Sequence, residues 1–284
     1  MRLAVTGATG YIGSHFVKVA AKSGHQITAT DYNMKQNDIQ KYCMKVLPWD
    51  ITSRQHEPTT VDKVIHIAAK TKVPASVKDP WSYFQTNVNG TKNVIKAFPC
   101  DHFVYCSTGS AFNPDSSPYA LTKYGGELIT KQFCDKNSIV RFYNVSGNYG
   151  FSKYDDEYSH LIRKAAAVAN GKFDQIEVFG TDYDTRDGTC IRNYTHVKDI
   201  VDSLLRIVEN KPTQEVDCLG SPDGVSVKEV LDTMSNVSRS NLNIIYSGRR
   251  DGDIPISTVP VKSKYFLQTK SLADMCLDAL HYEV

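Results

Sequence analysis

The chain has 284 residues, 41% of them apolar, with 33 lysines and arginines against 31 acidic residues and a formal charge of +2. That length allows one large domain, or a domain with a smaller lobe. The balanced charge excludes the marked basic face of a nucleic-acid binder, and no stretch approaches the roughly 18 consecutive apolar residues of a membrane span. The cysteines (Cys43, Cys100, Cys106, Cys134, Cys190, Cys218 and Cys276) are widely spaced and form no CxxC pair. They predict neither a disulfide framework nor a metal site, and they place the chain in a reducing cytoplasm.

The opening residues, RLAVTGATG, already read as strand and turn, so no signal peptide is expected ahead of them. Leu3 to Val5 is expected as a strand, Tyr11 to Ser23 as a helix stopped by Gly24, and Gln26 to Thr30 as a strand ending at Asp31. Lys63 to Ala68 is a further strand, followed by a helix through Asn87 to Phe98. His102 to Cys106 is a strand, Tyr119 to Lys136 a helix and Ser138 to Phe142 a strand. Alternation at this spacing predicts the α/β class, with right-handed crossovers and a doubly wound parallel sheet. After about Asn144 the pattern loosens. Tyr154 to Lys172 reads as a helix, Ile176 to Phe179 as a short strand and TDYDTRDGT as a loop, with helices over His196 to Glu209 and Val225 to Val237. The expected division is residues 1–145, with parts of 175–200, as one domain. Residues 146–284 then form mainly a smaller α/β substrate lobe, the whole making one compact unit.

Gly7, Gly10 and Gly13 stand between the first strand and the first helix. In that setting Gly7 permits a tight turn, Gly10 lets backbone approach a pyrophosphate, and Gly13 lets helix and sheet pack closely. The helix N-terminus adds N–H groups and positive dipole. Asp31 closes the second strand 18 residues after Gly13, where a carboxylate accepts from the adenosine ribose and repels a 2′-phosphate. The expected cofactor is therefore NAD rather than NADP. Asp50 and Ile51 are candidates for the adenine end.

Tyr119 and Lys123 are four apart and share one face of their helix. A free tyrosine, with a pKa near 10, is a poor base at neutral pH. A neighbouring ammonium and a positive nicotinamide both favour the phenolate, which makes tyrosine a usable general base.

With TGATGYIGSH, VIHIAA, TNVNGT and PYALTK in this order, the chain resembles the extended short-chain dehydrogenase/reductases. More narrowly it resembles the UDP-glucose 4-epimerase family, through VFGTDYDTRDGTCIRNYTHVKDI at 178–200 and RRDGDIP at 249–255. The resemblance implies a Rossmann-like domain and inversion at C4 of a UDP-sugar through a 4-keto intermediate. Tyr119 is then the base, Lys123 its pKa-lowering partner and Thr108 the third hydroxyl, at a position usually held by serine. It implies NAD contacts from Gly7, Gly10, Tyr11, Ile12, Gly13, Asp31, Asp50, Ile51, Ala68, Ala69, Asn87, Ser107, Tyr119, Lys123 and Tyr143. It implies substrate contacts from Thr108, Asn144, His160, Leu161, Phe179, Arg192, Tyr194, Arg250 and Asp253, and a homodimer through the helices near 87–98 and 119–136.

The chain departs from the family pattern in places. The segment between the Thr108 strand and the Tyr119 helix is short, Thr71 replaces a frequent lysine, and Ser257 sits where the family has a gate residue. A small gate resembles versions that admit N-acetylated sugars. Dehydratases carry an acid just after the active threonine, whereas Gly109 and Ser110 follow Thr108 here. The alternatives are another NDP-sugar reductase or epimerase, and a catalytically weak NAD or sugar-nucleotide-binding protein.

Overall fold

Leu3, Ala4 and Val5 are fully buried, as expected of a central strand covered on both faces. The computed structural model describes residues 1–33, 38–53, 57–150, 158, 160–212, 214–250, 253–260 and 263–282. Its strands are β1 (Arg2–Thr6), β2 (Gln26–Asp31), β3 (Lys45–Pro48), β4 (Lys63–His66), β5 (His102–Thr108), β6 (Asn137–Phe142), β7 (Asn144–Ser146), β8 (Ile176–Phe179), β9 (Ile191–Arg192), β10 (Tyr194–His196), β11 (Val216–Cys218), β12 (Val225–Ser226), β13 (Ile244–Ser247) and β14 (Ile256–Ser257). The helices are α1 (Tyr11–Lys22), α2 (Val73–Lys78), α3 (Pro80–Phe84), α4 (Gly90–Ala97), α5 (Pro118–Phe133), α6 (Leu161–Ala169), α7 (Val197–Glu209), α8 (Val227–Ser238) and α9 (Leu272–Tyr282).

The chain divides into two compact units, 1–142 with 201–218, and 143–200 with 219–284. The segment that returns to the first unit is thus 201–218 rather than 175–200. The reason is topological: β11 pairs in parallel with β6 and extends the large sheet, while β8 and β9 pair within the second unit. The large sheet has the order β11-β6-β5-β4-β1-β2-β3, and its strands run parallel. This is the doubly wound arrangement expected from the alternation. Strand order reverses between β1 and β4, so the crevice at their carboxyl ends is the place for a ligand. Trp49, Val64, Phe98, Phe103 and Ile139 form a core beneath it.

In the second unit α6, α8 and α9 pack around Ile162, Ala166, Val230, Met234, Met275 and Leu280. Ser226 starts α8 with a capping box closed by Glu229, which satisfies two otherwise orphaned N–H groups. The expected helix over 154–172 is α6, which starts at Leu161; its expected first residues, 154–157, lie outside the described residues. Among the described residues no helix is long and apolar enough to cross a membrane.

Candidate active site

The glycine turn follows from three steric facts. Gly7 has φ +67°, and a Cβ there would stand 2.8 Å from the Ala68 nitrogen. A Cβ on Gly13 would stand 2.0 Å from the Gly7 carbonyl oxygen, so α1 packs on the turn only without a side chain. Gly10 donates its N–H to the Gly7 carbonyl at 3.1 Å and starts α1 with no side-chain cap. The first N–H groups of α1 therefore keep their dipole for an anion. Half-buried Tyr11 and Ile12 are the first residues of that helix, and the Tyr11 ring meets His15 edge to face at 5.4 Å.

Asp31 ends β2, and its Oδ2 accepts from the Thr9 N–H at 3.1 Å and the Thr9 hydroxyl at 2.8 Å. This carboxylate thus holds the turn. Ala68 N–H donates to the Thr6 hydroxyl at 3.2 Å, which ties the Ala68–Ala69 segment after β4 to the end of β1. The Asp50–Ile51 pair also makes contacts within the fold. Asp50 closes a tight turn by accepting from Thr52 N–H and hydroxyl, both at 2.8 Å. Ile51 is a core residue whose carbonyl is taken by Asn93 at 2.8 Å.

Tyr119 and Lys123 lie on α5 and Thr108 ends β5, and the structure brings the three together in the first unit. Ser117 caps α5 by accepting from Ala120 N–H at 3.2 Å, and Pro118 opens the helix, so the start of the helix is fixed one residue before Tyr119. Thr108 accepts from the Ser110 N–H at 3.2 Å, and its side chain pulls the pKa of Tyr119 down. A threonine hydroxyl that donates to the phenol oxygen favours the phenolate. Lys123 is buried; it donates to the Cys106 carbonyl at 2.7 Å and lies 4.3 Å from the Tyr105 ring centre.

The expected lowering of the tyrosine pKa is not what these contacts produce. Burial raises Tyr119 above its ordinary value; the Thr108 hydrogen bond pulls it down, and Tyr83 adds a small push upward. Burial also pulls Lys123 down to about 8, against the attraction of Cys106 and Glu127. Lys123 gives one of its three N–H donors to the strand carbonyl, and the Thr108 side chain is the group that lowers the Tyr119 pKa here.

Two more expected cofactor residues make bonds that hold the frame. Asn87 accepts from Lys70 N–H at 2.9 Å and donates to the Lys70 carbonyl at 3.0 Å and the Thr122 hydroxyl at 3.1 Å. Ser107 donates to Glu127 at 2.6 Å, inside a buried pair in which Arg141 gives Glu127 two bonds of 2.8 and 2.7 Å. Tyr143 falls in the second unit. Sequence reading missed Tyr83, whose ring lies 6.5 Å from that of Tyr119. It also missed His66, held between Thr6 at 2.7 Å and Thr91 at 3.0 Å. His66 follows Ile65 in the quoted VIHIAA block, and its polar side chain within that buried run was the available signal.

The second unit gathers Phe179, Arg192, Arg250 and Asp253. Arg250 reaches Asp253 at 3.0 Å and lies 5.2 Å from the centre of the Phe179 ring. Arg192 stands 3.5 Å from Asp253 and donates to the Ile254 carbonyl at 2.8 Å. Two guanidiniums against one carboxylate leave positive charge beside an aromatic face, which suits a base and a diphosphate. Asn144 donates to the Asn193 carbonyl at 2.9 Å. His160 stands at the start of α6 and makes no side-chain cap bond. Leu161 and Tyr194 are partly buried and pack against the second unit's core. The charges of TDYDTRDGT hold the loop and tie it to its surroundings: Asp187 accepts from Thr189 at 2.7 Å, Arg186 pairs with Glu229 on α8, and Asp182 pairs with Arg249 at 2.8 Å. Among the described residues no group of three or more His, Cys, Asp or Glu could hold a metal.

A doubly wound sheet with an uncapped glycine turn and a hydroxyl–tyrosine–lysine set defines a dinucleotide enzyme of the short-chain dehydrogenase type. The model of the NAD dependent epimerase/dehydratase family matches residues 3–218. The chain is 34% identical over 285 residues to a UDP-glucose 4-epimerase of Rhizobium meliloti, covering 88% of this chain and 85% of that one. A UDP-glucose 4-epimerase from Brucella ovis, solved with NAD, superposes with TM-score 0.86 at 25% identity, over 99% of this chain and 98% of that chain. The UDP-Glc/GlcNAc 4-epimerase of Campylobacter jejuni gives 0.78 at 27%, with the same coverage. The chain belongs to the NAD dependent epimerase/dehydratase family and, within it, to the UDP-glucose 4-epimerases.

Proposed function

We propose that this chain is an NAD-dependent isomerase that inverts C4 of UDP-glucose and UDP-galactose. The observation that carries the reading is the placing of buried Tyr119 and Lys123 one turn apart on α5, which packs on the strand β5 that ends in Thr108. The residues fit the cofactor: the tight Gly7–Gly13 packing, the uncapped start of α1 and the Asp31 carboxylate would hold the pyrophosphate and ribose of NAD. Bound NAD supplies a hydride acceptor that returns the hydride to the opposite face of the sugar. Tyr119 takes the proton from the 4-hydroxyl and gives it back, and Thr108 orients that hydroxyl and stabilises the phenolate. Lys123 keeps a positive charge next to Tyr119 and close to the nicotinamide ribose.

Elimination chemistry lacks its acid. Gly109 and Ser110 follow Thr108, and the nearby carboxylate of Glu127 is neutralised by Arg141 and Ser107. In the second unit, Arg192 and Arg250 take the diphosphate, Asp253 the uridine ribose and Phe179 the uracil. Ser257 pairs in register with Arg192, and its small side chain leaves room for an N-acetyl group.

The protein acts in the cytoplasm as a homodimer. All seven cysteines are free thiols. On the first unit Leu121 (55% exposed) and Leu128 (49%) lie seven apart on α5, which packs on α3 carrying Trp81 (76%). A second copy would cover this apolar face.

Product analysis with UDP-glucose and UDP-N-acetylglucosamine tests the reading. Formation of UDP-galactose, with transient absorbance at the reduced-nicotinamide band, is expected. A flat spectrum with no product would leave a binding protein. Refusal of the acetylated sugar alone would remove the role given to Ser257.

A further inference from the structure

We propose that Glu127 is a positioning residue for Thr108 and Tyr119, acting through a closed ring of contacts made by Ser107, Arg141 and Phe112. The inference rests on the catalytic roles given above to Thr108 and Tyr119.

Tyr119, Lys123 and Glu127 follow one another at intervals of four on α5, so they form one stripe along the helix. The first two carry the chemistry. Glu127 is 1% exposed and makes no approach to solvent. Its Oε1 accepts from the Ser107 hydroxyl at 2.6 Å and Arg141 Nε at 2.8 Å, and its Oε2 accepts from the Arg141 guanidinium at 2.7 Å. Ser107 immediately precedes Thr108, and Arg141 sits opposite Ser107 in the parallel register of β5 and β6. The outer face of Arg141 is covered by the Phe112 ring at 4.2 Å. Phe112 ends the 3₁₀ turn Gly109–Phe112, which Thr108 itself caps. Thr108, the turn, Phe112, Arg141, Glu127 and Ser107 thus return to Thr108.

A buried ion pair is a poor source of net stability, because desolvation offsets its attraction, and its best-attested use is to fix geometry. Here the fixed geometry is the joint between the two strand–helix elements that carry the hydroxyl and the phenol. Residues 109–117 are all that connect β5 to α5. With so short a joint, a displacement of Ser107 is transmitted to Thr108 with nothing between to absorb it. A misplaced Thr108 lowers turnover without changing how tightly the sugar nucleotide binds.

The test uses Ser107→Ala, Phe112→Ala, Phe112→Trp and Glu127→Gln in the full chain, with two readouts. The first is kcat and KM for UDP-galactose formation. The second is the ¹³Cζ resonance of Tyr119 in tyrosine-labelled protein, assigned by its loss in Tyr119→Phe. Phe112 is 54% exposed, so its alanine variant keeps the fold if Glu127→Gln does not. The expectation is a fall in kcat of about tenfold for Ser107→Ala and Phe112→Ala, KM within about twofold, and a shifted Tyr119 resonance. Phe112→Trp restores both. Wild-type kcat with an unmoved resonance in both alanine variants overturns the proposal, as does a loss in kcat that merely follows the melting temperature. If the wild-type protein turns over no UDP-sugar, the epimerase reading fails, and the resonance alone decides the positioning role.

Discussion

At the scale of single residues, the proposed role of Thr108 is to favour ionised Tyr119. Its hydroxyl accepts from Ser110 N–H, and its side chain lowers the phenol's pKa against burial that raises it. Thr108→Val is expected to cut kcat about a hundredfold and move the acidic limb of the kcat/KM profile upward, while Thr108→Ser keeps activity within a few-fold. A valine variant with an unmoved limb would show that Thr108 does not set the phenolate. Gly13 offers a test of opposite sign to intuition. Glycine to alanine inside a helix ordinarily stabilises by about 1 kcal/mol. A Cβ at 2.0 Å from the Gly7 carbonyl reverses this, so Gly13→Ala should lose about 1–3 kcal/mol in denaturant unfolding. These residues were legible because their meaning lies in local spacing, three glycines in a turn and two side chains one helical turn apart. Ser107 and Asn87 were read as cofactor contacts through the family resemblance. Their partners within the fold, Glu127 and Thr122, were not legible because packing brings them in from distant stretches of the chain.

At the scale of elements, the regular strands and long helices of the first unit were legible from their period. The short pieces between β4 and α4 were not. The single helix expected over 87–98 is entered through α2, α3 and a π turn at Gln85–Asn89. A π turn inserts one residue into the helical ladder, and such bulges gather at functional sites. This one presents Asn87 to the Lys70 loop and to Thr122, which in turn donates to the Tyr119 carbonyl at 3.0 Å. Asn87 therefore couples the loop after β4 to the start of the catalytic helix. Asn87→Ala leaves the Lys70 backbone groups without their partner and should cost about 1–3 kcal/mol in unfolding free energy. Asn87→Asp restores the acceptor but faces a carbonyl with a second oxygen, and should be no better. If either variant unfolds like the wild type, the coupling is absent. The helix α9 was also missed. Its buried Met275, Cys276, Ala279 and Leu280 follow a helical period, but polar neighbours in LADMCLDALHY dilute the signal.

At the scale of the whole molecule, buried neutral histidines set how stability depends on pH. His66 donates and accepts between two threonines, and burial beside Lys123 pulls its pKa down to about 3. His102 is lowered to about 4 by burial, with a smaller contribution from Lys63. In the second unit His196 accepts from Lys198 N–H at 3.0 Å and so gives its other proton to Asp278 at 2.7 Å; burial lowers its pKa too. The unfolded chain protonates these rings below about 6.5 and therefore binds more protons than the folded one. Their contribution is complete above that pH and is lost as the pH falls toward 3. Between pH 6.5 and 5, His66 alone is worth on the order of 2 kcal/mol. On the alkaline side burial raises Cys106, Cys134 and Cys276 to about 12, so the folded state keeps protons the unfolded state has shed, and stability declines above pH 9. Lys123, lowered to about 8, works the other way between 8 and 10.5 and flattens that limb. Urea midpoints should therefore hold steady from about pH 6.5 to 9 and drop steeply below 6. His66→Gln keeps a hydrogen-bonding side chain that does not titrate, so its slope between pH 6.5 and 5 should be shallower than the wild type's even if its midpoint at pH 7.5 is lower. An unchanged slope would mean that His66 already carries its proton in the folded chain. That would require one threonine hydroxyl to turn around, because the protonated ring has two donors and no acceptor.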